Sequence, residues 1–124
     1  MAPPLVLIVD DDDAIADSLR EVLEMEGLDP ITAHDGSEGL VTFERHHPDL
    51  VVADVMMPVL DGPAMVRAIR GAQGGSTVPV ILMSAAHGLP GRTELPAHDA
   101  FLEKPFQVDA FLHEVKRLLR PRGA

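Results

Sequence analysis

The sequence contains no cysteine, no tryptophan and no tyrosine, and four phenylalanines bring the aromatic share to only 3%. Without thiols there is no disulfide, no zinc–thiolate centre and no cysteine nucleophile. A reducing cytoplasm suits such a chain, and a cytoplasmic location is expected. With so few rings, aliphatic side chains must fill the core. Basic residues are scarce too: ten Lys and Arg face twenty Asp and Glu, giving a formal net charge of -10 and a pI near 4.8. That balance argues against direct nucleic-acid binding, which needs a basic footprint. It suits a bound cation or a basic partner protein. No apolar run approaches the ~20 residues that span a bilayer, so no membrane insertion is expected. Met1-Ala2-Pro3-Pro4 lacks the basic start of a secretion signal.

What is present is 46% hydrophobic residues in 124, enough for the core of one domain. Short apolar runs alternate with helical patterns. Leu5–Val9 reads as a strand buried on both faces. Asp12 or Asp13 can cap the helix that follows, where Ile15, Leu19, Val22 and Leu23 form one stripe. Gly27 suits its end. Pro30–His34 is a weaker second strand, closed by the turn pair Asp35-Gly36. A helix over Ser37–His46, with Leu40 and Phe43 inward, stops at Pro48-Asp49. Leu50–Ala53 is the third strand, ending on Asp54. A third helix spans Pro63–Arg70, with Pro63 in its first turn. Gly71–Thr77 is a loop, Val78–Met83 the fourth strand and Ala100–Glu103 the fifth. Gln107–Leu119 is the last helix, with Val108, Phe111, Leu112, Val115, Leu118 and Leu119 inward. Lys116, Arg117 and Arg120 complement its negative end. Nothing but Pro121–Ala124 follows it, so residues 1–124 read as a single domain with no output domain.

The stretch between the fourth and fifth strands departs from this rhythm. His87–His98 carries Gly88, Pro90, Gly91 and Pro96, and an interior proline costs a helix roughly 3 kcal/mol. The fourth helix is therefore expected to be short, irregular or missing. Five apolar strands alternating with helices still give an open parallel α/β sheet. Such sheets bind ligands at the carboxyl ends of their strands.

The polar residues at those ends are Asp10-Asp11 after the first strand, Asp54 after the third, Ser84 after the fourth and Lys104 after the fifth. Like charges ~4 Å apart repel by on the order of 4 kcal/mol at an effective dielectric of 20. A hard divalent cation such as Mg²⁺ relieves that repulsion, preferring one or two carboxylates, waters and phosphate oxygens. Lys104 and Ser84 add an ammonium and a hydroxyl donor. The set suits an incoming phosphoryl group, and an aspartate can be the nucleophile. Asp12 and Asp13 are read instead as capping and dipole-compensating charge.

These segments resemble the response-regulator receiver domains of two-component signalling. The similarity lies in Leu7-Ile8-Val9-Asp10-Asp11-Asp12, in Leu50–Pro58 with Leu60-Asp61-Gly62, in Val78–Ala85, and in Phe101-Leu102-Glu103-Lys104-Pro105-Phe106. Together they cover nearly the whole chain in order. The resemblance implies a flavodoxin-like, doubly wound, five-stranded parallel sheet with strand order 2-1-3-4-5. It implies Asp54 as phosphoacceptor, and Mg²⁺ held by Asp11, Asp54, the Met56 main-chain carbonyl and, through water, Asp10. Lys104 would pair with Asp54 and then with the phosphoryl oxygens. Ser84 and Phe101 would form the switch, and the Lys104–Pro105 peptide would be cis. The donor would be a phosphohistidine on a sensor histidine kinase or histidine phosphotransfer protein. The domain would catalyse only its own phosphorylation and dephosphorylation, so it is not expected to be an enzyme in the ordinary sense. It would signal to a downstream protein as a monomer or weak homodimer.

Some residues depart from the family pattern. Phe101 lacks the hydroxyl of the common tyrosine, so the switch must act through packing. Met56 and Ala86, two residues after Asp54 and Ser84, carry no polar side chain to orient a water, which predicts a slowly decaying phosphoaspartate. The 85–99 loop is expected to be mobile and to become ordered on phosphorylation or partner binding, the alternative being a merely shortened loop. The six histidines show no metal-ligand spacing and read as surface residues. The competing readings are a pseudo-receiver that binds proteins without being phosphorylated, and a hydrolase with an aspartyl nucleophile. The hydrolase needs a second aspartate where Met56 stands.

Overall fold

A computed structural model describes residues 2–84 and 96–119 of the chain. The described elements are β1 (Leu5–Val9), α1 (Asp13–Met25), β2 (Asp29–Ala33), α2 (Gly36–His46), β3 (Leu50–Asp54), α3 (Gly62–Gly71), β4 (Val80–Ser84), β5 (Ala100–Glu103) and α4 (Val108–Leu118). All strand pairs are parallel, and the sheet order is β2-β1-β3-β4-β5, as expected for a flavodoxin-like fold.

The alternation of strand side chains divides the core between the two faces of the sheet. Leu7, Val9, Val51, Ala53, Val80 and Leu82 face one way and pack with Phe43 of α2 and Met65, Val66 and Ile69 of α3. Val6, Ile8, Leu50, Val52, Ile81 and Met83 face the other way, against Ala16, Leu19 and Leu23 of α1 and Phe111 and Val115 of α4. Both faces of the central strands are therefore dry, which is why their sequences are almost wholly apolar.

Local signals set the helix ends. Asp12 caps α1, its side chain accepting from the amides of Ala14 and Ile15. Gly27, at φ +80°, follows the α1 C-cap. Asp35 caps α2 through the Glu38 amide, so Asp35-Gly36 is the start of that helix rather than a strand-ending turn. Asp61 caps α3 through the Ala64 amide. β4 begins at Val80 rather than Val78, because Pro79 has no amide to give the ladder and the Val78 carbonyl accepts from Arg70. The apolar stripe of α4 puts Val108 inward, yet it is exposed: it opens the helix beside Pro105 and Phe106, where it borders a groove rather than the core.

The expected irregular crossover lies mostly outside the described residues, as do Ala86, His87 and Arg120. Its described part, Pro96–Asp99, is not helical. No helix among the described residues is long and apolar enough to cross a membrane.

Candidate functional site

Each of β1, β3 and β4 ends on a buried polar residue or runs straight into one. Asp10 follows β1, Asp54 closes β3 and Ser84 closes β4, and these are the buried polar or charged residues of the described chain. Asp11 lies beside them, exposed. Carboxylate oxygens of Asp10, Asp11 and Asp54 lie within 4.8 Å of one another. Lys104 reaches in from the end of β5, with its Nζ 3.0 Å from Asp10 Oδ2 and 3.3 Å from Asp54 Oδ1. The family resemblance pairs Lys104 with Asp54; here it bridges both aspartates and lies slightly nearer Asp10.

The backbone fixes these groups. Asp10 donates its amide to the Ala33 carbonyl at 3.2 Å, and its Oδ1 accepts from the Asp12 amide at 3.0 Å. The Val55 amide donates to the Met83 carbonyl at 2.8 Å, and the Lys104 amide to the Ser84 carbonyl at 2.7 Å. Gly62 backs onto the Asp54 carbonyl so closely that a side chain there would collide with it. The turn after Lys104 runs through a cis peptide to Pro105.

Charge is crowded here. Burial pushes the Asp54 carboxyl up to about 6; Lys104 pulls it down, and Asp10 and Asp11 push the same way as burial. For Lys104, burial favours the neutral amine. Its hydrogen bond to Asp10 and the charge of Asp54 outweigh that and hold the ammonium above its ordinary range. The donors are all hard oxygens, and three carboxylates against one ammonium leave an excess of negative charge. That set fits Mg²⁺ rather than a soft metal.

The other residues singled out in the sequence lie around this centre. Phe101 is half-buried on β5 and packs against the core cluster shared with α2 and α3. Met56 is 60% exposed on the loop after β3. Asp12 caps a helix, and Asp13 pairs with His34 at 2.9 Å on the surface, so neither joins the carboxylate cluster.

Three features escape a reading of the sequence. His98 is half-buried rather than a surface residue, its ring edge-on to Phe101 at 6.2 Å. Val59 has φ +70° while 84% exposed, which is rare for a β-branched residue. Arg70 is largely buried and bonds to backbone carbonyls, which no sequence motif announces.

Residues 6–116 match the response regulator receiver domain family. The transcriptional regulatory protein PrrA of Mycobacterium tuberculosis is 40% identical over 124 residues, covering 98% of this chain and 52% of that protein. The chain thus spans about half the length of the curated relatives it matches. The chemotaxis protein CheY4 of Vibrio cholerae superposes with a TM-score of 0.88 at 28% identity, over 95% of this chain and 100% of that one. The response regulator TrrA of Thermotoga maritima, solved in complex with Mg²⁺ and beryllofluoride, gives 0.83 at 33% identity, over 94% and 99%.

Proposed function

The chain belongs to the response regulator receiver domain family, and from that premise we propose that Asp54 accepts a phosphoryl group from a partner's phosphohistidine. The observation that carries this reading is the bridge of Lys104 across buried Asp10 and Asp54, with Asp11 completing the acidic cluster. A P–N bond of the donor breaks as a P–O bond forms to an Asp54 carboxylate oxygen. Asp11 and Asp54, the Met56 carbonyl and, through water, Asp10 would hold Mg²⁺. A bound Mg²⁺ supplies positive charge to the phosphoryl oxygens, whose transfer depends on neutralisation and positioning. Lys104 then exchanges a carboxylate partner for a phosphoryl oxygen, and Ser84 donates its hydroxyl to another. Phe101 follows Ser84 by repacking.

The donor is a sensor histidine kinase or a histidine phosphotransfer protein in the cytoplasm. A groove of about 720 Å³ between α1 and the turn after β5 opens beside the lysine, lined by Ala14, Ile15, Leu19, Pro105, Phe106 and Val108, and suits its approach. The domain acts through phosphorylation-dependent protein contacts, as a monomer or weak homodimer. With apolar Met56 beside the acceptor, the phosphoaspartate persists well beyond seconds at neutral pH.

Intact mass after incubation with Mg²⁺ and acetyl phosphate tests the reading. One phosphoryl group should be gained with Mg²⁺ and none without it, and none in Asp54→Ala. Uptake by the mutant would move the acceptor elsewhere. No uptake from acetyl phosphate or from any phosphohistidine protein would favour the pseudo-receiver.

A further inference from the structure

Arg70, near the C-terminal end of α3, has a side chain only 19% exposed, low for an arginine. All of its described bonds run to the loop before β4 and the approach to β5. Nη1 donates to the carbonyls of Gly75 at 3.0 Å and Val78 at 2.6 Å. Nε and Nη2 both donate to the Ala97 carbonyl, at 3.3 and 3.0 Å, and Nη2 lies 3.7 Å from Asp99 Oδ2.

Asp99 continues the clamp. Its amide donates to the Val80 carbonyl at 2.8 Å, and its Oδ2 accepts from the Val80 amide at 2.9 Å. Its carbonyl accepts from Arg117 of α4 at 3.2 Å. The aspartate thereby adds one rung to the β4–β5 ladder at the end away from the site, and two arginines from opposite faces of the sheet hold it there.

This clamp matters because β5, although Ala100, Phe101 and Leu102 pack on the two core clusters, is the less protected strand. Only four residues long, it pairs with β4 alone among the described strands, and none of its residues is fully buried. Lys104 lies five positions after Asp99, ~16 Å at the rise of a strand. The strand is a short rod, clamped at one end and carrying the site's ammonium at the other. Phe101 lies between the two.

We infer that Arg70 is a positioning residue for phosphoryl recognition: by fixing Ala97 and Asp99 it sets where β5 places Lys104. The inference rests on the phosphoacceptor reading above. None of the described bonds of Arg70 reaches the carboxylate cluster or the strands that carry it. Its effect therefore falls on the phosphoryl ligand, which needs Lys104, and spares the cation, which β1 and β3 hold.

The test is a pair of titrations, followed by amide NMR at a temperature where every variant is folded. Mg²⁺ is added alone, and then beryllofluoride at saturating Mg²⁺. Arg70→Met should weaken beryllofluoride roughly 10-fold, within the usual range of couplings between distant sites, and leave Mg²⁺ affinity unchanged within about twofold. Arg70→Lys, which keeps the charge but loses the fork, should recover part of the loss. Phe43→Leu, in the cluster that Phe101 joins but on α2, which packs on β1, β2 and α3, controls for general loosening and should leave both affinities alone. Unchanged beryllofluoride affinity in Arg70→Met, or a parallel fall in both affinities, overturns the inference. Failure of the wild-type chain to bind either ligand would instead overturn the phosphoacceptor reading, and this inference with it.

Discussion

β3 lies in the middle of the sheet, hydrogen-bonded to β1 on one side and β4 on the other, and all five of its residues are buried. β5 lies at the edge with β4 as its only strand neighbour among the described residues, and it is half-exposed. Both deliver a charged group to one place. Asp54 comes from the strand fixed by apolar packing on two faces, and Lys104 from the strand held by a short ladder and a polar clamp. The acidic half of the site is built into the core. The basic half is carried by a strand with partly buried packing and a few directional bonds, and such bonds can be exchanged one at a time. On the proposed function, a phosphoryl group drawing Lys104 away from its aspartates would act on an edge strand of the sheet rather than on its centre.

The largest contrast should come from the two charges themselves. Lys104→Met is expected to slow phosphorylation by acetyl phosphate by about 100-fold or more, the usual scale for losing one preorganised donor. Mg²⁺ binding should survive, because the carboxylates remain and their competing ammonium is gone. Loss of both functions together would mean that the two halves are not separable. In the core the same contrast becomes one of stability. Leu7→Ala on β1 should cost about 2–5 kcal/mol in denaturant unfolding. Leu102→Ala on β5 should cost less, no more than about 2 kcal/mol, since that side chain is only partly buried. Equal losses would contradict a soft edge.

The raised pKa of Asp54 gives a signed test of the built-in acidic half. An acid whose folded pKa lies above its unfolded value costs stability wherever it is charged. Between about pH 3.8 and 6 the folded chain binds more protons than the unfolded one, so stability falls as pH rises through that window. The cost is complete above it. Asp54→Asn should remove this slope and stabilise the chain at pH 7 without Mg²⁺ by up to roughly 3 kcal/mol. Thermal unfolding from pH 4 to 8 would show it, and a mutant with the wild-type slope would place the raised group elsewhere. The smallest effect is expected at Asp12. Asp12→Ala should lose about 0.5–2 kcal/mol as a lost N-cap and leave the phosphorylation rate nearly unchanged. A large fall in rate would return Asp12 to the site.

The same contrast separates what is legible in the sequence from what is not. Strands buried on both faces announce themselves as apolar runs, and their polar ends then stand out. Asp10, Asp54, Ser84 and Lys104 fall together for that reason alone. The order of the strands comes from the family resemblance, not from the runs themselves. Arg70 is hidden because its partners are the carbonyls of Gly75, Val78 and Ala97, and carbonyls leave no mark on a sequence. Val59 is hidden for a related reason. Valine is among the poorest signals for a left-handed residue, and its φ is set in a loop tied down by the bond from Gly36 to the Leu60 carbonyl and by Gly62 against Asp54. Val108 fits the apolar stripe of α4, and only the geometry after β5 shows that the first turn of that helix borders a groove.

The most direct test of a fixed acidic half and a responsive basic half is residue-resolved amide NMR of the wild-type chain, taken first with Mg²⁺ and then with Mg²⁺ and beryllofluoride. Mg²⁺ alone should perturb the amides around Asp10, Asp11 and Asp54 and leave Phe101–Lys104 nearly still. Beryllofluoride should then move the β5 amides, reaching as far as Asp99. If β5 responds fully to Mg²⁺ alone, or stays still when beryllofluoride binds, the division of the site into two halves is wrong.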